Sequence, residues 1–165
     1  MLRPVASPQS SSHARGRHAR SNQAEADAVV REAQALGVKA IAVVADVASK
    51  DQVEAMAAKA LSEFGRVDIL INNAALYAPL PTLSIADMDT DIWNKVMAIN
   101  IRGPMLMVKH VAPHMIARKY GKIVNIGSGT VARGIPDFSH YVTSKGAVTA
   151  FTRCMSRELG QHGIC

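Results

Sequence analysis

Aromatic residues make up only 4% of this chain, and its two cysteines, Cys154 and Cys165, fit no metal-ligand spacing. A disulfide framework and a metal site are therefore not expected, and a reducing, cytoplasmic setting is the default. No apolar run approaches the roughly 20 residues a helix needs to cross a bilayer, so no membrane span is expected. Acidic residues are missing from positions 1–22, where Arg3, Arg15, Arg17 and Arg20 supply four of the six net positive charges. The basic balance thus belongs mainly to one end. A single-stranded nucleic-acid groove interleaves cations with aromatic rings, and the scarcity of rings argues against one.

The same 22 residues lack apolar periodicity and carry Pro4 and Pro8 among serines, arginines and histidines. Little here can be buried against the entropy cost of folding, so residues 1–22 are expected to be a disordered basic leader. An acid-free, Arg- and Ser-rich start resembles an organelle transit peptide, but it shows no amphipathic stripe. The preferred reading is an unrelated leader joined to one domain over residues 23–165. With 48% hydrophobic residues in 165, there is core-forming material for one domain.

From Gln23 onward the pattern becomes regular. Ala26, Val29, Val30, Ala33 and Leu36 recur at helical spacing, which predicts a helix over Ala24–Leu36 stopped by Gly37. Val38–Ala45 is nearly all apolar, as expected for a strand buried on both faces. A helix over Asp51–Phe64, closed by Gly65, and a strand over Val67–Ile71 follow, then a loop broken by Pro79 and Pro81. A long helical segment is predicted over Asp89–Lys119, with a bend at Gly103–Pro104. Ile123–Ile126 reads as a strand and His140–Gln161 as a last helix. Strands alternating with helices imply a parallel sheet covered on both faces.

Each predicted strand ends in polar residues: Asp46, then Asn72 and Asn73, then Ser128. Open parallel sheets bind ligands outside the carboxyl ends of their strands. One such Asp is as readily a helix cap, but three polar ends in succession argue for a ligand crevice. Tyr141 and Lys145 are four apart on a predicted helix, hence on one face. A free Tyr, with a pKa of about 10, is a poor acid-base group at neutral pH. A nearby ammonium favours the phenolate and makes it a better one. Such a pair also arises by chance on solvated helix faces, so it carries weight only in company.

The company is present. Ser128 precedes Tyr141 by 13 residues, Asn100 lies in the preceding long helix, and Asn72-Asn73-Ala74-Ala75 and Ala45-Asp46-Val47 follow predicted strands. In order and spacing, these elements over residues 24–165 resemble the classical short-chain dehydrogenase/reductase family. The stretch around Phe138–Lys145 is similar to its 3-oxoacyl-acyl-carrier-protein reductases and related sugar or alcohol dehydrogenases. The resemblance implies a Rossmann-type, doubly wound α/β fold and an NAD(P)-dependent oxidoreductase acting on a small carbonyl or hydroxyl compound. Tyr141 would be the general acid/base and Lys145 would bind the nicotinamide ribose and favour the phenolate. Ser128 would polarise the substrate oxygen, and Asn100 would hold a water in a proton relay. Asn73, Ala74 and Ala75, with Tyr141 and Lys145, would line the cofactor, and Asp46 and Val47 would touch its adenine. Asn72 is as readily structural, tying neighbouring strands through its amide. Ala75 departs from the family's usual glycine.

No glycine-rich turn precedes Ala24, where the family holds the cofactor's pyrophosphate. In the family's strand order the present strands correspond to the third, fourth and fifth. The expectation is a partial Rossmann sheet without its first two and C-terminal strands, and without the residue that chooses NAD or NADP. Two alternatives stay open beside the oxidoreductase: a catalytically inactive truncated fragment, and a non-enzymatic homo- or hetero-oligomerisation module using the two long helices. Among lesser features, His110 and His114 are expected on an exposed helix face rather than as metal ligands, and Cys154 is expected in packing.

Overall fold

The computed structural model describes residues 23–165 and the backbone of Val5–Ala6. Three parallel strands form its sheet: β1 (Val5–Ala6), β2 (Ile69–Asn72) and β3 (Lys122–Asn125), in that order. The register sets Val5 against Ile69 and Ala6 against Leu70. On the other side, Ile69 opposes Lys122 and Asn72 opposes Asn125. Helices α1 (Gln23–Ala35) and α2 (Lys50–Phe64) lie between β1 and β2, α3 (Thr90–Met97) and α4 (Gly103–Arg118) between β2 and β3, and α5 (Thr130–Arg133) and α6 (Ser139–Gly160) follow β3. Among the described residues no helix is long and apolar enough to cross a membrane.

Two expectations change. The leader expected to be disordered contains β1, which pairs with β2 at the position where no strand was foreseen. The rest of that leader lies outside the described residues. Residues 38–45 form no strand, although the apolar run predicted one buried on both faces. A strand exists only through a ladder to a neighbour, and among the described residues none runs beside this segment. Val44 is accordingly 46% exposed, while Val43 and Ala45 pack against the core.

The long helix is interrupted as anticipated, but earlier than Gly103. Residues Ala98–Arg102 form a π-helical turn between α3 and α4, in which Gly103 N–H reaches back to the Ala98 carbonyl. Pro104 has no N–H to offer the Asn100 carbonyl four residues earlier, so a regular helix cannot close there. Gly103 must be small: a Cβ on it would stand 3.0 Å from Val47 Cγ2. Asp89 caps α3, its carboxylate accepting from Asp91 N–H at 2.7 Å.

The core fills the space between the sheet and the α2–α4 pair. Val53, Met56, Ala57 and Ala60 from α2 meet Leu106, Val111 and Met115 from α4, with Leu70 of β2 beneath them. Leu70 and Met115 are fully buried, each worth about 1.5–3 kcal/mol over exposure. The buried Asp68 carboxylate, at the entry to β2, takes Arg118 Nη1 at 3.1 Å and Arg66 Nε at 3.1 Å, fixing the end of α4 to the sheet. Beyond α6, Ile123 N–H donates to the Cys165 carbonyl at 2.8 Å and Cys165 N–H to Gly121 at 3.1 Å, so the last residues run beside β3. Cys154, expected in packing, is exposed, because its position on α6 falls opposite the face that carries buried Tyr141, Ser144, Lys145 and Val148.

Candidate active site

The carboxyl ends of β2 and β3 carry Asn72–Ala75 and Ile126–Ser128, and α6 crosses beside them. Asn72 is buried, and its Nδ2 donates to Asn125 Oδ1 on the adjacent strand at 2.8 Å. Asn125 Nδ2 in turn donates to Thr152 Oγ1 on α6 at 2.9 Å. Asn72 thus ties strand to strand, and strand to helix, by a side-chain ladder.

Tyr141 and Lys145 sit one turn apart on α6, both more than nine-tenths buried. The Lys145 ammonium donates to the Ile126 carbonyl at 2.7 Å and lies 5.9 Å from the Tyr141 ring centroid. Burial penalises its charge and holds the Lys145 pKa below the ordinary lysine value. Ser128 follows β3 by three residues. Its Oγ accepts from Thr130 N–H at 3.3 Å and from the Thr130 hydroxyl at 2.9 Å, which leaves the Ser128 proton to be donated elsewhere.

Asn100, expected to hold a relay water, sits buried in the π-helical turn. Its buried amide is engaged by protein: Oδ1 accepts from Leu76 N–H at 2.6 Å, and Nδ2 donates to the Leu76 carbonyl at 3.1 Å and to Ser144 Oγ at 3.0 Å. Ser144 Oγ donates on to the Tyr141 carbonyl at 2.7 Å. Asn100 therefore joins the loop after β2 to the helix that carries Tyr141 and Lys145. Sequence reasoning gave Ser144 no role. The available signal was a Ser three residues after Tyr141, a spacing at which a hydroxyl returns to a helix carbonyl.

Two more rings pack against Tyr141 and a third packs against one of them, an arrangement the sequence did not single out. Tyr77 lies at 4.9 Å and Phe138 at 5.2 Å, centroid to centroid. His140 stands edge-on to Phe138 at 5.1 Å. His140 is fully buried, neither ring nitrogen has a hydrogen-bond partner among the described residues, and burial lowers its pKa.

Ahead of α2, Asp46 Oδ1 accepts from Ala48 N–H at 2.8 Å, and Asp46 N–H donates to Gln52 Oε1 at 2.8 Å. Asp46 is thus a turn-former ahead of α2 whose carboxylate stays exposed, while Val47 is buried against Gly103. Asn73 is exposed, and Ala74 and Ala75 are half-buried. Among the described residues no cluster of three metal-capable side chains occurs, and His114 points to solvent while His110 is partly buried.

The profile of the short chain dehydrogenase family matches residues 10–165. The chain belongs to that family. It is 34% identical over 140 residues to the 3-oxoacyl-acyl-carrier-protein reductase of Staphylococcus epidermidis, covering 85% of this chain and 56% of that protein. The corresponding reductase of Synechocystis sp. is 37% identical over 139 residues, covering 84% and 55%. Among solved structures, an NAD+-bound xylitol dehydrogenase superposes with a TM-score of 0.81 at 31% identity, covering 87% of this chain and 54% of that one. A metagenomic short-chain oxidoreductase in complex with NADP gives a TM-score of 0.81 at 29% identity, covering 98% and 67%. The chain spans about half the length of the curated relatives it matches. Its α/β, partial Rossmann-type fold is that of these dehydrogenases.

Proposed function

We propose that this chain carries the hydride-transfer centre of an NAD(P)-dependent oxidoreductase that interconverts a small carbonyl compound and its alcohol. The observation that carries this reading is the buried Tyr141–Lys145 pair at the carboxyl end of β3. An ammonium is costly to bury, and among the described residues this one, 5.9 Å from the Tyr141 ring centroid, is held by the Ile126 carbonyl and makes no ion pair with a carboxylate. The ammonium one helical turn from the phenol supports a role for Tyr141 in passing a proton at its oxygen.

The residues present fit a dinucleotide. The Lys145 ammonium, the Ser128 hydroxyl, the Asn73 amide and the Asp46 carboxylate are donors and acceptors suited to ribose hydroxyls, a carboxamide and a purine. Ala74 and Ala75 are small, and a Cβ placed on Gly127 or Gly129 would meet nothing within 4 Å, so the floor beside β3 is open. The segment after β1, where folds of this kind hold the pyrophosphate, lies outside the described residues.

When bound, the nicotinamide gives or takes the hydride. Lys145, Asn73, Ala74 and Ala75 would hold its half of the cofactor, and Asp46 and Val47 the adenine half. Tyr141 gives a proton to the substrate oxygen during reduction and takes it back during oxidation. Ser128 donates its free proton to the same oxygen, a fixed dipole aimed at developing negative charge. Asn100 holds the two flanking elements in register, and its backbone carbonyl, to which Pro104 cannot donate, would take the relay water. Homo- or hetero-association through α4 and α6 belongs to the same reading.

Calorimetry with NADH and NADPH in turn tests this. We expect one of them to bind, and Tyr141→Phe to keep that binding while losing at least about 100-fold in turnover. A folded chain that binds neither nucleotide sinks the claim of independent activity.

A further inference from the structure

Tyr77 is 56% exposed although its ring lies 4.9 Å from that of Tyr141, centroid to centroid. It is not a loose loop tip. Asn100 grips both the N–H and the carbonyl of the preceding residue, Leu76, and the Tyr77 carbonyl accepts from Leu80 N–H at 3.1 Å. Phe138, on the other flanking loop, meets Tyr77 edge-on at 5.9 Å and 83°. The two loops are also joined through the backbone, Leu83 N–H donating to the Asp137 carbonyl at 2.8 Å. An apolar ring is thus fixed in contact with water immediately beside the phenol that handles the reacting proton.

We propose that Tyr77 is a substrate-recognition residue whose ring receives an aromatic group attached to the carbonyl carbon. This rests on the reaction proposed above and adds the substrate class. Burial alone would favour any apolar group. A flat ring additionally gains the offset or edge-on pairing that Tyr77, Phe138 and Tyr141 already make among themselves. The three rings themselves bring no charged group, and the neighbouring Lys145 ammonium is turned to Ile126.

The test compares acetophenone with methyl cyclohexyl ketone, its saturated counterpart, as substrates for the 165-residue chain and for Tyr77→Ala and Tyr77→Phe. An aromatic pair is worth about a two- to tenfold change in affinity. The ratio of kcat/KM for the aryl over the saturated ketone should fall by about that factor in Tyr77→Ala, mainly through KM, and persist in Tyr77→Phe. An unchanged ratio in Tyr77→Ala overturns the proposal, as does a ratio lost equally in Tyr77→Phe. If Tyr77→Ala does not fold by circular dichroism, Tyr77→Leu, bulky but not aromatic, reads the same ratio. If no ketone is reduced with either nicotinamide, the reaction reading fails, and saturation-transfer NMR with acetophenone decides recognition alone. Transfer to the probe's ring protons that is kept in Tyr77→Phe and lost in Tyr77→Ala supports the proposal. No transfer from the parent chain, or equal transfer from Tyr77→Ala, overturns it.

Discussion

The side-chain amide of Asn100 donates to Ser144 Oγ across 3.0 Å, joining two fully buried residues that are 44 positions apart in the chain. Each end of this bond continues. Asn100 holds both backbone groups of Leu76, and Ser144 donates to the Tyr141 carbonyl. One buried polar chain therefore runs from the loop after β2, through the π-helical turn, into the first turns of α6. Low local dielectric strengthens such a chain when complete and penalises any gap in it.

Ser144→Ala opens such a gap. It leaves an Asn100 N–H buried without an acceptor, which costs about 1–3 kcal/mol. We expect a loss of that size in urea unfolding, with Asn100→Ala losing more because three bonds go. In a double-mutant cycle the two substitutions should be non-additive by at least about 0.5 kcal/mol. Additive losses would mean that the two side chains do not act together.

His140 supplies an acid-side dependence. Its folded pKa lies below the ordinary 6.5 because charging a buried imidazole is penalised. The unfolded chain then binds the proton more readily, so stability is full above the unfolded pKa and is lost as pH falls through the folded one. Urea midpoints measured from about pH 7.5 down to about pH 5 should decline in the parent chain, and less steeply in His140→Leu. Equal slopes for the two proteins would show that His140 titrates as it does in water.

Much of this was legible in the sequence because local chemistry and tertiary context agree. Val53, Met56, Ala57 and Ala60 on α2 keep helical spacing up to Gly65, whose φ of 75° needs a glycine. The interruption near Pro104 followed from a missing N–H, although the register of the π-helical turn did not. Residues 38–45 were misread because an apolar run reports burial preference and not the presence of a partner strand.

At the candidate site, the sequence order singled out Tyr141, Lys145, Ser128 and Asn100, which lie on α6, after β3 and in the π-helical turn. It could not reveal that Asn100 grips Leu76 and Ser144, because hydrogen bonds between positions 24 and 44 residues apart leave no spacing rule. Tyr77 was hidden for the same reason. Nothing local tells a reader that an aromatic after Asn73-Ala74-Ala75 will lie on a ring 64 residues later.

The turn after α6 gives a backbone test. Gly163 has φ of +74°, and a Cβ there would stand 2.6 Å from the Lys119 carbonyl oxygen. Backbone cannot swing aside as a side chain can. Gly163→Ala combines left-handed strain with that clash and should cost more than about 1 kcal/mol. Gly160→Ala, at the end of α6 with nothing within 4 Å, should be neutral or stabilising by up to about 1 kcal/mol. Equal denaturation midpoints for the two variants would discount the close approach.

Lys145 offers the sharpest separation of stability from function. Burial lowers its folded pKa, so the unfolded chain holds the proton more tightly. The penalty for a charged Lys145 is therefore full below the folded pKa and is relieved as pH rises toward the unfolded value near about 10.4. Lys145→Met keeps the length and removes the charge. The Ile126 carbonyl it abandons belongs to a residue 40% exposed, where water can take the ammonium's place. We expect Lys145→Met to be at least as stable as the parent in urea at neutral pH, with the difference shrinking at alkaline pH. Turnover in the same variant should fall at least about 100-fold, as for loss of an acid-base partner. A variant that is both less stable and pH-independent in its difference would make Lys145 a structural residue. The charge would then have no reason of its own to sit beside Tyr141.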